Sequence, residues 1–276
     1  MFELIASDLD GTLLENVAGY SDETYRSVRE LIKKGMRFIV ATGRIYRSAS
    51  LFAKSLGTKD YVISCNGAYV RHTDTGEVLL EERLPKEALL TMMDYLDEKE
   101  AFYCIYDAET IYSRKPTGLV EHYLRLNKSL EPEDRIRVEI TDEFKEVVEK
   151  GGRILKLVVL EKRMELLNEW KSVLSEMEDL EVVQSSDTNM EIMKKGVSKG
   201  RGLRLISERY GIDPERIIAF GDHLNDASML EYAGIGVAMG NAGDELKKMA
   251  DYVTDTNTKD GFSKAMRHIL EGRVSR

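Results

Sequence analysis

The chain has 276 residues, more than one hydrophobic core usually organises, so the sequence predicts two domains. Hydrophobic residues make up 42% and charged residues 32%, which is typical of a soluble globular protein, and the presence of only four prolines argues against an extended linker or a low-complexity segment. The net charge of −9 is spread along the chain, and this argues against nucleic acid as the main ligand.

The composition also bears on the compartment of the protein. Two cysteines, Cys65 and Cys104, are too few for a disulfide framework and indicate free thiols in a reducing cytosol. The apolar run at the start of the sequence is too short for a signal peptide, and no stretch is long and apolar enough to span a bilayer. We therefore expect a cytoplasmic protein without a membrane, nucleic-acid or obligate protein partner.

The first predicted element is a buried parallel strand that runs into a pair of acids. An apolar run over 2–7 is followed directly by Asp8-Leu9-Asp10-Gly11-Thr12. Ligands bind at the carboxyl ends of strands in open α/β sheets. Because burying two acids so close together is costly, this strand end predicts a site where a cation or a reaction requires them.

Strands and helices then alternate. Ser21 is the predicted N-cap of the first helix, which ends at Gly35. The predicted elements that follow are a helix over 22–34, a strand to Ala41, a helix over 45–56 and a strand over 61–64. Such alternation predicts a parallel, doubly wound sheet.

The pattern changes in the middle of the chain. Residues 69–82 predict a hairpin with a turn at 73–76. From 85 to 185 the strands alternate more openly, and helices at about 86–98 and 162–177 frame them. This α+β character indicates a second domain inserted into the first.

The doubly wound pattern resumes after Lys199. The predicted elements there are a helix over 199–210 and strands over 216–221, 235–238 and 251–254. We therefore predict a core domain made of residues 1–84 and 186–276, with an inserted cap domain over 85–185.

Further polar groups follow the predicted strands or begin a predicted helix. They are Thr42-Gly43-Arg44, Lys199-Gly200 and Gly221-Asp222-x-x-Asn225-Asp226. Together with Asp8-x-Asp10-Gly-Thr they resemble the four motifs of the haloacid dehalogenase-like (HAD) hydrolases. Their order and spacing resemble the Cof-type phosphatases of that superfamily, which Asn66-Gly67-Ala68 and residues 237–242 also match. The resemblance covers the whole chain and implies a Rossmann-like core with a type IIB cap that closes over the site.

The two acids of the first motif have distinct expected roles. The Asp8 carboxylate can attack phosphorus and form an aspartyl-phosphate. Asp10 is placed to protonate the leaving oxygen and then to deprotonate the attacking water. In the family that the chain resembles, members with an acid at the second position are phosphatases and phosphomutases. Asp10 therefore points to phosphate ester chemistry.

A divalent cation lets these carboxylates and a phosphate coexist, and hard oxygen ligands favour Mg²⁺. Asp8 and Asp222 are the expected side-chain ligands, and the resemblance implies that Asp10 binds the metal through its backbone carbonyl. Asp226 is expected to act through a water or to orient its neighbours.

A second group of residues is expected to bind the phosphate. The hydroxyl of Thr42 and the backbone amides of Leu9 and Gly43 would donate to its oxygens, while Lys199 would add a positive charge. Three residues complete the rim: Asn225 in the phosphate clamp, Arg44 contacting substrate or pairing with an acid, and Asn66 touching substrate or forming a plain turn. His223 is expected to be a variable loop residue.

The sequence thus predicts a Mg²⁺-dependent phosphatase for small phosphorylated metabolites, such as sugar phosphates, pyridoxal phosphate or FMN. The first alternative is a hexose phosphomutase, whose cap needs a second phosphate site rich in arginine. The arginines of the predicted cap form no dense cluster, which favours hydrolysis. The second alternative is a non-catalytic regulator that binds a phosphometabolite, and intact Asp8 and Asp10 argue against it.

Overall fold

The structure is a computed structural model that describes residues 2–16, 19–116, 118–186 and 188–274. The contacts within the chain divide it into two compact units. The first unit comprises Met1–Arg44, Ala49–Leu80 and Ser198–Arg276, and the second comprises Ile45–Ser48 and Glu81–Val197.

Strands and helices are numbered in chain order. The strands are β1 (Leu4–Ser7), β2 (Arg37–Ala41), β3 (Tyr61–Ser64), β4 (Tyr69–His72), β5 (Val78–Glu81), β6 (Phe102–Tyr106), β7 (Thr110–Ser113), β8 (Arg137–Ile140), β9 (Lys156–Leu160), β10 (Leu180–Ser186), β11 (Asn189–Lys194), β12 (Ile217–Gly221), β13 (Ile235–Ala238) and β14 (Tyr252–Val253). The α-helices are α1 (Asp22–Lys33), α2 (Tyr46–Leu56), α3 (Lys86–Glu98), α4 (Leu119–Leu126), α5 (Phe144–Glu149), α6 (Met164–Ser175), α7 (Lys199–Tyr210), α8 (Ala227–Tyr232), α9 (Asp244–Met249) and α10 (Gly261–Leu270).

The sheet of the first unit has β1 near its centre. Over the described residues it has eight strands in the order β14-β13-β12-β1-β2-β3-β4-β5. The strands from β14 to β3 are parallel, and β4 runs antiparallel to β3. All four residues of β1 are fully buried, as a continuous apolar run predicts for a central parallel strand. The predicted doubly wound α/β core is confirmed.

Two helices of the first unit, α1 and α7, begin where the sequence placed them. Ser21 accepts a hydrogen bond from the Thr24 N–H at 3.0 Å, so it caps α1 as predicted. Ser198 caps α7 in the same way through the Arg201 N–H at 3.1 Å. The Ser198 cap fixes the start of α7, whose first residue is Lys199. Throughout the described chain, each helix falls short of the length and apolar character that crossing a membrane would need.

The second unit has its own sheet and its own core. Its described strands follow the order β10-β11-β9-β6-β7-β8, and all pairs are antiparallel except β7 with β8. Apolar side chains of α3, α5 and α6 pack with those of the sheet in one hydrophobic cluster, which includes Leu89, Phe144, Trp170 and Ile192. The mixed α+β character predicted for the insertion is confirmed.

The limits of the second unit differ from the predicted 85–185. The unit extends from Glu81 to Val197 and also includes the short segment Ile45–Ser48. The extension arises because β11 pairs with β10 and β9, with Leu180 opposite Lys194 and Ile192 opposite Leu157. Residues of β11 therefore belong to the cap sheet rather than to the core.

Candidate active site

The sheet topology of the first unit brings three polar strand ends together. β12 and β2 flank β1 in parallel, with Ser7 opposite both Phe220 and Val40. Asp8 continues the ladder, since its N–H donates to the Phe220 carbonyl at 3.0 Å. Because parallel strands end at the same edge, the segments that begin with Asp8, Thr42 and Asp222 leave the sheet side by side.

A buried lysine lies between two of the acids. The Lys199 side chain is 1% exposed, and its Nζ donates to Asp8 Oδ1 and to Asp226 Oδ1, at 2.6 Å in both cases. Burial alone would lower the pKa of Lys199, but the two carboxylates outweigh it and raise that pKa above its ordinary value. Lys199 is therefore a fixed positive charge at neutral pH.

Asp8 lies in an environment that opposes its ionisation. Burial raises the pKa of the Asp8 carboxyl well above its ordinary value; the Lys199 ammonium opposes this rise, and the acids at positions 226, 222 and 10 add to it. A positive charge beyond that of Lys199 would restore the carboxylate form that a nucleophile needs.

The buried acids form a cluster whose chemistry fits a divalent cation. Asp8, Asp222 and Asp226 each offer a carboxylate oxygen, and these oxygens all lie within 4.8 Å of one another. Lys199 pairs with Asp8 and Asp226, and clustered oxygen donors of this kind suit Mg²⁺. The residues therefore fit the metal that the sequence predicted.

Asp226 is already engaged at both oxygens. Oδ1 accepts from Lys199, and Oδ2 accepts from the N–H groups of Asp222 and His223 at 2.9 and 3.0 Å. These bonds fold the loop after β12 around the carboxylate. Asp226 is thus placed to orient Lys199 and Asp222, one of the two roles that the sequence left open for it.

Asp222 has partners that the sequence analysis missed. Its Oδ1 accepts from the Thr12 hydroxyl at 3.2 Å, and its Oδ2 accepts from Asn241 Nδ2 at 3.3 Å. Gly11 has φ +80°, and a Cβ there would lie 2.2 Å from Asp222 Oδ2, so this position requires glycine. The match of residues 237–242 to the Cof-type pattern was the available signal for Asn241.

His223 also contacts this acid. Its Nδ1 lies 2.8 Å from Asp222 Oδ2, and that hydrogen bond raises the pKa of His223 although burial opposes the rise. The sequence analysis treated His223 as a variable loop residue, because neighbours in a loop give no signal of which side chains turn toward each other.

Asp10 is held by an arginine. Arg44 donates from Nε to Asp10 Oδ2 at 2.7 Å and from Nη2 to Oδ1 at 2.6 Å. The guanidinium carbon also lies 4.7 Å from the centre of the Phe52 ring, and the Arg44 N–H donates to Thr42 Oγ1 at 3.2 Å. Of the two roles predicted for Arg44, the structure shows the pairing with an acid.

Asn66 and Asn225 contact each other through their side-chain amides. Asn225 Nδ2 donates to Asn66 Oδ1 at 3.1 Å, and Asn66 is 2% exposed. Leu9 has a buried side chain, and its carbonyl accepts from the N–H groups of Thr12 and Leu14, which closes the turn after β1. Gly43 follows Thr42 just after the end of β2. All predicted site residues lie in the first unit.

The fold and the site define a class of protein, an α/β enzyme with clustered acids at the carboxyl edge of a parallel sheet. The family model of the haloacid dehalogenase-like hydrolases matches residues 5–266. The chain belongs to this family, and within it to the Cof-type phosphatases with a type IIB cap, which hydrolyse phosphoric monoesters. The predicted family and enzyme class are confirmed.

Three relatives illustrate the range of the family. The chain is 33% identical to the 5-amino-6-(5-phospho-D-ribitylamino)uracil phosphatase YcsE of Bacillus subtilis, over 96% of this chain and 95% of the relative. It is 30% identical to the pyridoxal phosphate phosphatase YbhA of Escherichia coli, over 94% and 96%. Among solved structures, a HAD subclass IIB sugar phosphatase superposes with a TM-score of 0.81 at 28% identity, over 97% of this chain and 99% of that one.

Proposed function

We propose that the protein is a Mg²⁺-dependent phosphatase that acts on small phosphorylated metabolites through an aspartyl-phosphate. The observation that supports this most directly is the buried Asp8 carboxylate, bonded at 2.6 Å to Lys199 within a cluster of three acids. A carboxylate so placed is costly for the fold unless a reaction uses it.

The reaction proceeds in two displacements. A carboxylate oxygen of Asp8 attacks phosphorus, the P–O bond to the leaving group breaks, and Asp10 gives its proton to the departing oxygen. Asp10, now a carboxylate, then takes a proton from a water molecule as that water attacks phosphorus. The Asp8–phosphorus bond breaks, inorganic phosphate leaves, and both acids return to their starting states.

The phosphoryl group is bound by charges and donors that the fold supplies in advance. Lys199 is buried and positively charged, so it offsets negative charge in the transition state. The Thr42 hydroxyl and the amides of Leu9 and Gly43 are the proposed donors to the phosphoryl oxygens, together with the side chain of Asn225. Positioned donors of this kind supply much of the catalysis in phosphoryl transfer.

Asp8, Asp222 and the carbonyl of Asp10 are the proposed ligands of Mg²⁺, with Asp226 orienting them. The bound cation supplies positive charge that offsets the repulsion among carboxylates and phosphate. Asp222 is held for this role by Thr12 and Asn241, which contact its two oxygens.

The substrates are proposed to be sugar phosphates or phosphorylated cofactors, in line with the names of the relatives. Four arginines of the second unit pair with acids of the same unit: Arg114 with Asp97, Arg125 with Glu121, Arg153 with Glu81, and Arg163 with Glu161. Three others, Arg47, Arg135 and Arg137, line one pocket together with Glu109 and Glu133. The phosphomutase therefore stays the alternative that the turnover assay must test.

A turnover assay tests the proposal. The purified protein with Mg²⁺ should release inorganic phosphate from an aryl phosphate and, faster, from members of a panel of phosphorylated metabolites. Interconversion of two hexose monophosphate isomers without phosphate release would indicate a mutase. Binding of the panel without any release would indicate a regulator and would overturn the enzymatic proposal.

A further inference from the structure

The turn that follows β3 has an unusual backbone. Cys65, Asn66 and Gly67 have φ values of +48°, +56° and +102°. Two consecutive residues other than glycine in the left-handed region are uncommon, and each costs free energy that the surrounding structure must supply. Such strain is concentrated at functional sites, so the contacts of this turn indicate what it does.

Backbone contacts fix the turn against two of the motif segments. The N–H of Cys65 donates to the Arg44 carbonyl at 2.9 Å, and that of Asn66 donates to the Thr42 carbonyl at 3.1 Å. On the other side, a Cβ on Gly67 would lie 2.1 Å from the Ser198 carbonyl oxygen. The turn is therefore wedged between the end of β2 and the start of α7.

The side chain of Asn66 continues this connection to a third segment. Asn66 Oδ1 accepts from Asn225 Nδ2 at 3.1 Å. Asn225 Oδ1 is buried and has no hydrogen-bond partner among the described residues. One end of the Asn225 amide is thus anchored, and the other end is left for a group that the protein itself does not supply.

We propose that Asn66 is a positioning residue for phosphate binding, acting through Asn225, and that the strained turn exists to hold it there. The inference rests on the proposed function, since the group that meets Asn225 is the phosphoryl group. A phosphoryl oxygen accepts hydrogen bonds, so binding turns the Asn225 amide to present its N–H. The side-chain amide of Asn66 turns as well and keeps the pair bonded in that state, because its Nδ2 then donates to Asn225 Oδ1.

Two substitutions at Asn66 separate this role from a structural one. Asn66→Gly fits the left-handed backbone without a steric cost, so the turn should keep its conformation, whereas the anchor of Asn225 is lost. Asn66→Asp keeps the shape but can only accept hydrogen bonds, so it holds the Asn225 N–H away from the phosphate. Both variants should bind inorganic phosphate about tenfold more weakly by titration calorimetry in the presence of Mg²⁺.

A double-variant cycle tests whether Asn66 acts through Asn225. In an Asn225→Ala background, Asn66→Gly should cause no further loss of phosphate affinity, because the group it orients is already absent. Additive losses would overturn the proposal, and so would unchanged phosphate affinity in both single variants at position 66. If Asn66→Gly fails to fold, Asn66→Asp alone decides between these outcomes.

Glu100 provides the matched control. It also has a left-handed backbone, with φ +51°, but it is exposed and lies in the second unit. Glu100→Gly should leave both phosphate affinity and turnover unchanged. Phosphate binding remains measurable even if the wild-type protein hydrolyses nothing, so failure of this inference and failure of the proposed enzymatic function give different results.

Discussion

At the scale of single residues, the site is organised around shared charges rather than isolated groups. Lys199 donates hydrogen bonds to two carboxylates, and Arg44 donates to both oxygens of Asp10. Removing one member of such a set leaves a buried or paired charge without its partner, which costs more than the lost contact. The effect of a substitution here should therefore be measured on substrates with different leaving groups, and not by the rate on one substrate alone.

Asp8→Asn should abolish turnover while the protein remains folded, because an amide cannot attack phosphorus. Asp10→Asn should lower kcat by about 10²–10⁴-fold, the usual value of general acid–base catalysis. A phosphate ester with a very good leaving group needs little protonation, so it should partly rescue the first step in the Asp10 variant only. Near-normal steady-state turnover in purified Asp8→Asn would contradict the covalent mechanism.

Arg44→Lys should affect catalysis through the position of Asp10. Lysine keeps the charge but cannot donate to both carboxylate oxygens in one plane. We expect kcat/KM for an alkyl phosphate to fall about tenfold, with a smaller loss for an activated aryl phosphate, which depends less on the acid.

The control for Arg44 is Arg37→Lys. Arg37 also pairs with an acid, Asp60, at 2.8 Å, but it lies at the opposite end of β2. This variant should keep both kcat/KM values. Equal losses on the two substrates in Arg44→Lys would show that Arg44 contributes something other than the position of Asp10.

The sequence was sufficient to predict which residues gather at the site but not how they pair. Asp8 and Asp222 were predictable because motifs at strand ends converge when strands are parallel. Lys199 begins a helix, and its prediction depended on its place in the family motif. The bonds from Arg44 to Asp10 and from Asn225 to Asn66 were not, because they depend on side-chain rotamers across long sequence separations. Asn241 was missed because a loop asparagine carries no chemical signal until its neighbour is known.

At the scale of elements, several helices and strands were predicted with the right limits, whereas the shortest helices were not predicted. α3 and β13 have the predicted limits, whereas α8 and α9, of six residues each, were not predicted. A helix of this length has no full amphipathic period to recognise. The sequence pattern also failed to show that β11 belongs to the second unit. Its pairing with β10 and β9 determines this, and such pairing cannot be read from the sequence.

Cys104 on β6 should make the stability of the protein depend on pH in the alkaline range. Burial raises the pKa of this thiol to about 11, and its Sγ lies 3.3 Å from Ser113 Oγ. The unfolded thiol loses its proton near pH 8.5, so the folded state holds a proton that the unfolded state releases. This contribution to stability is complete below that pH and is lost as pH rises toward about 11.

Urea unfolding of wild type and Cys104→Ala at pH 8 and pH 11 measures this effect. The free energy of unfolding of wild type should fall by roughly 2–3 kcal/mol more than that of the variant over this range. The comparison between the two proteins cancels the titration of tyrosines and lysines. Parallel decreases in the two proteins would show that the thiol ionises as readily in the folded state as in the unfolded one.

At the scale of the whole molecule, each of the two units has a hydrophobic core of its own. The first unit carries every predicted catalytic residue, and the second carries a separate hydrophobic core with its own sheet. The three acids come from two distant parts of the sequence: Asp8 follows β1, whereas Asp222 and Asp226 share the loop after β12. A cation bound there joins the ends of β1 and β12, so it should stabilise the folded chain as a whole.

Mg²⁺ should raise the melting temperature of the wild-type protein, and a strong chelator should both reverse the shift and stop turnover. At a concentration one hundred times the dissociation constant, the expected stabilisation is about 2.7 kcal/mol. Asp222→Asn should lose most of the shift, since it removes one proposed ligand charge. Asp255→Asn, which alters an acid paired with Lys264, should keep the shift. Full turnover in chelator would contradict the proposed metal requirement.

The position of β1 in its sheet also has a consequence for biosynthesis. Leu4 pairs with Ile217, so one side of the first strand waits for a partner that is translated near the end of the chain. Until β12 emerges from the ribosome, β1 exposes an unpaired edge, the kind of surface on which nascent chains aggregate. The same late segment delivers Asp222 and Asp226. A chain that stops before β12 would therefore lack two of the three clustered acids as well as being prone to association, and the candidate site can form only after residue 226 has been synthesised.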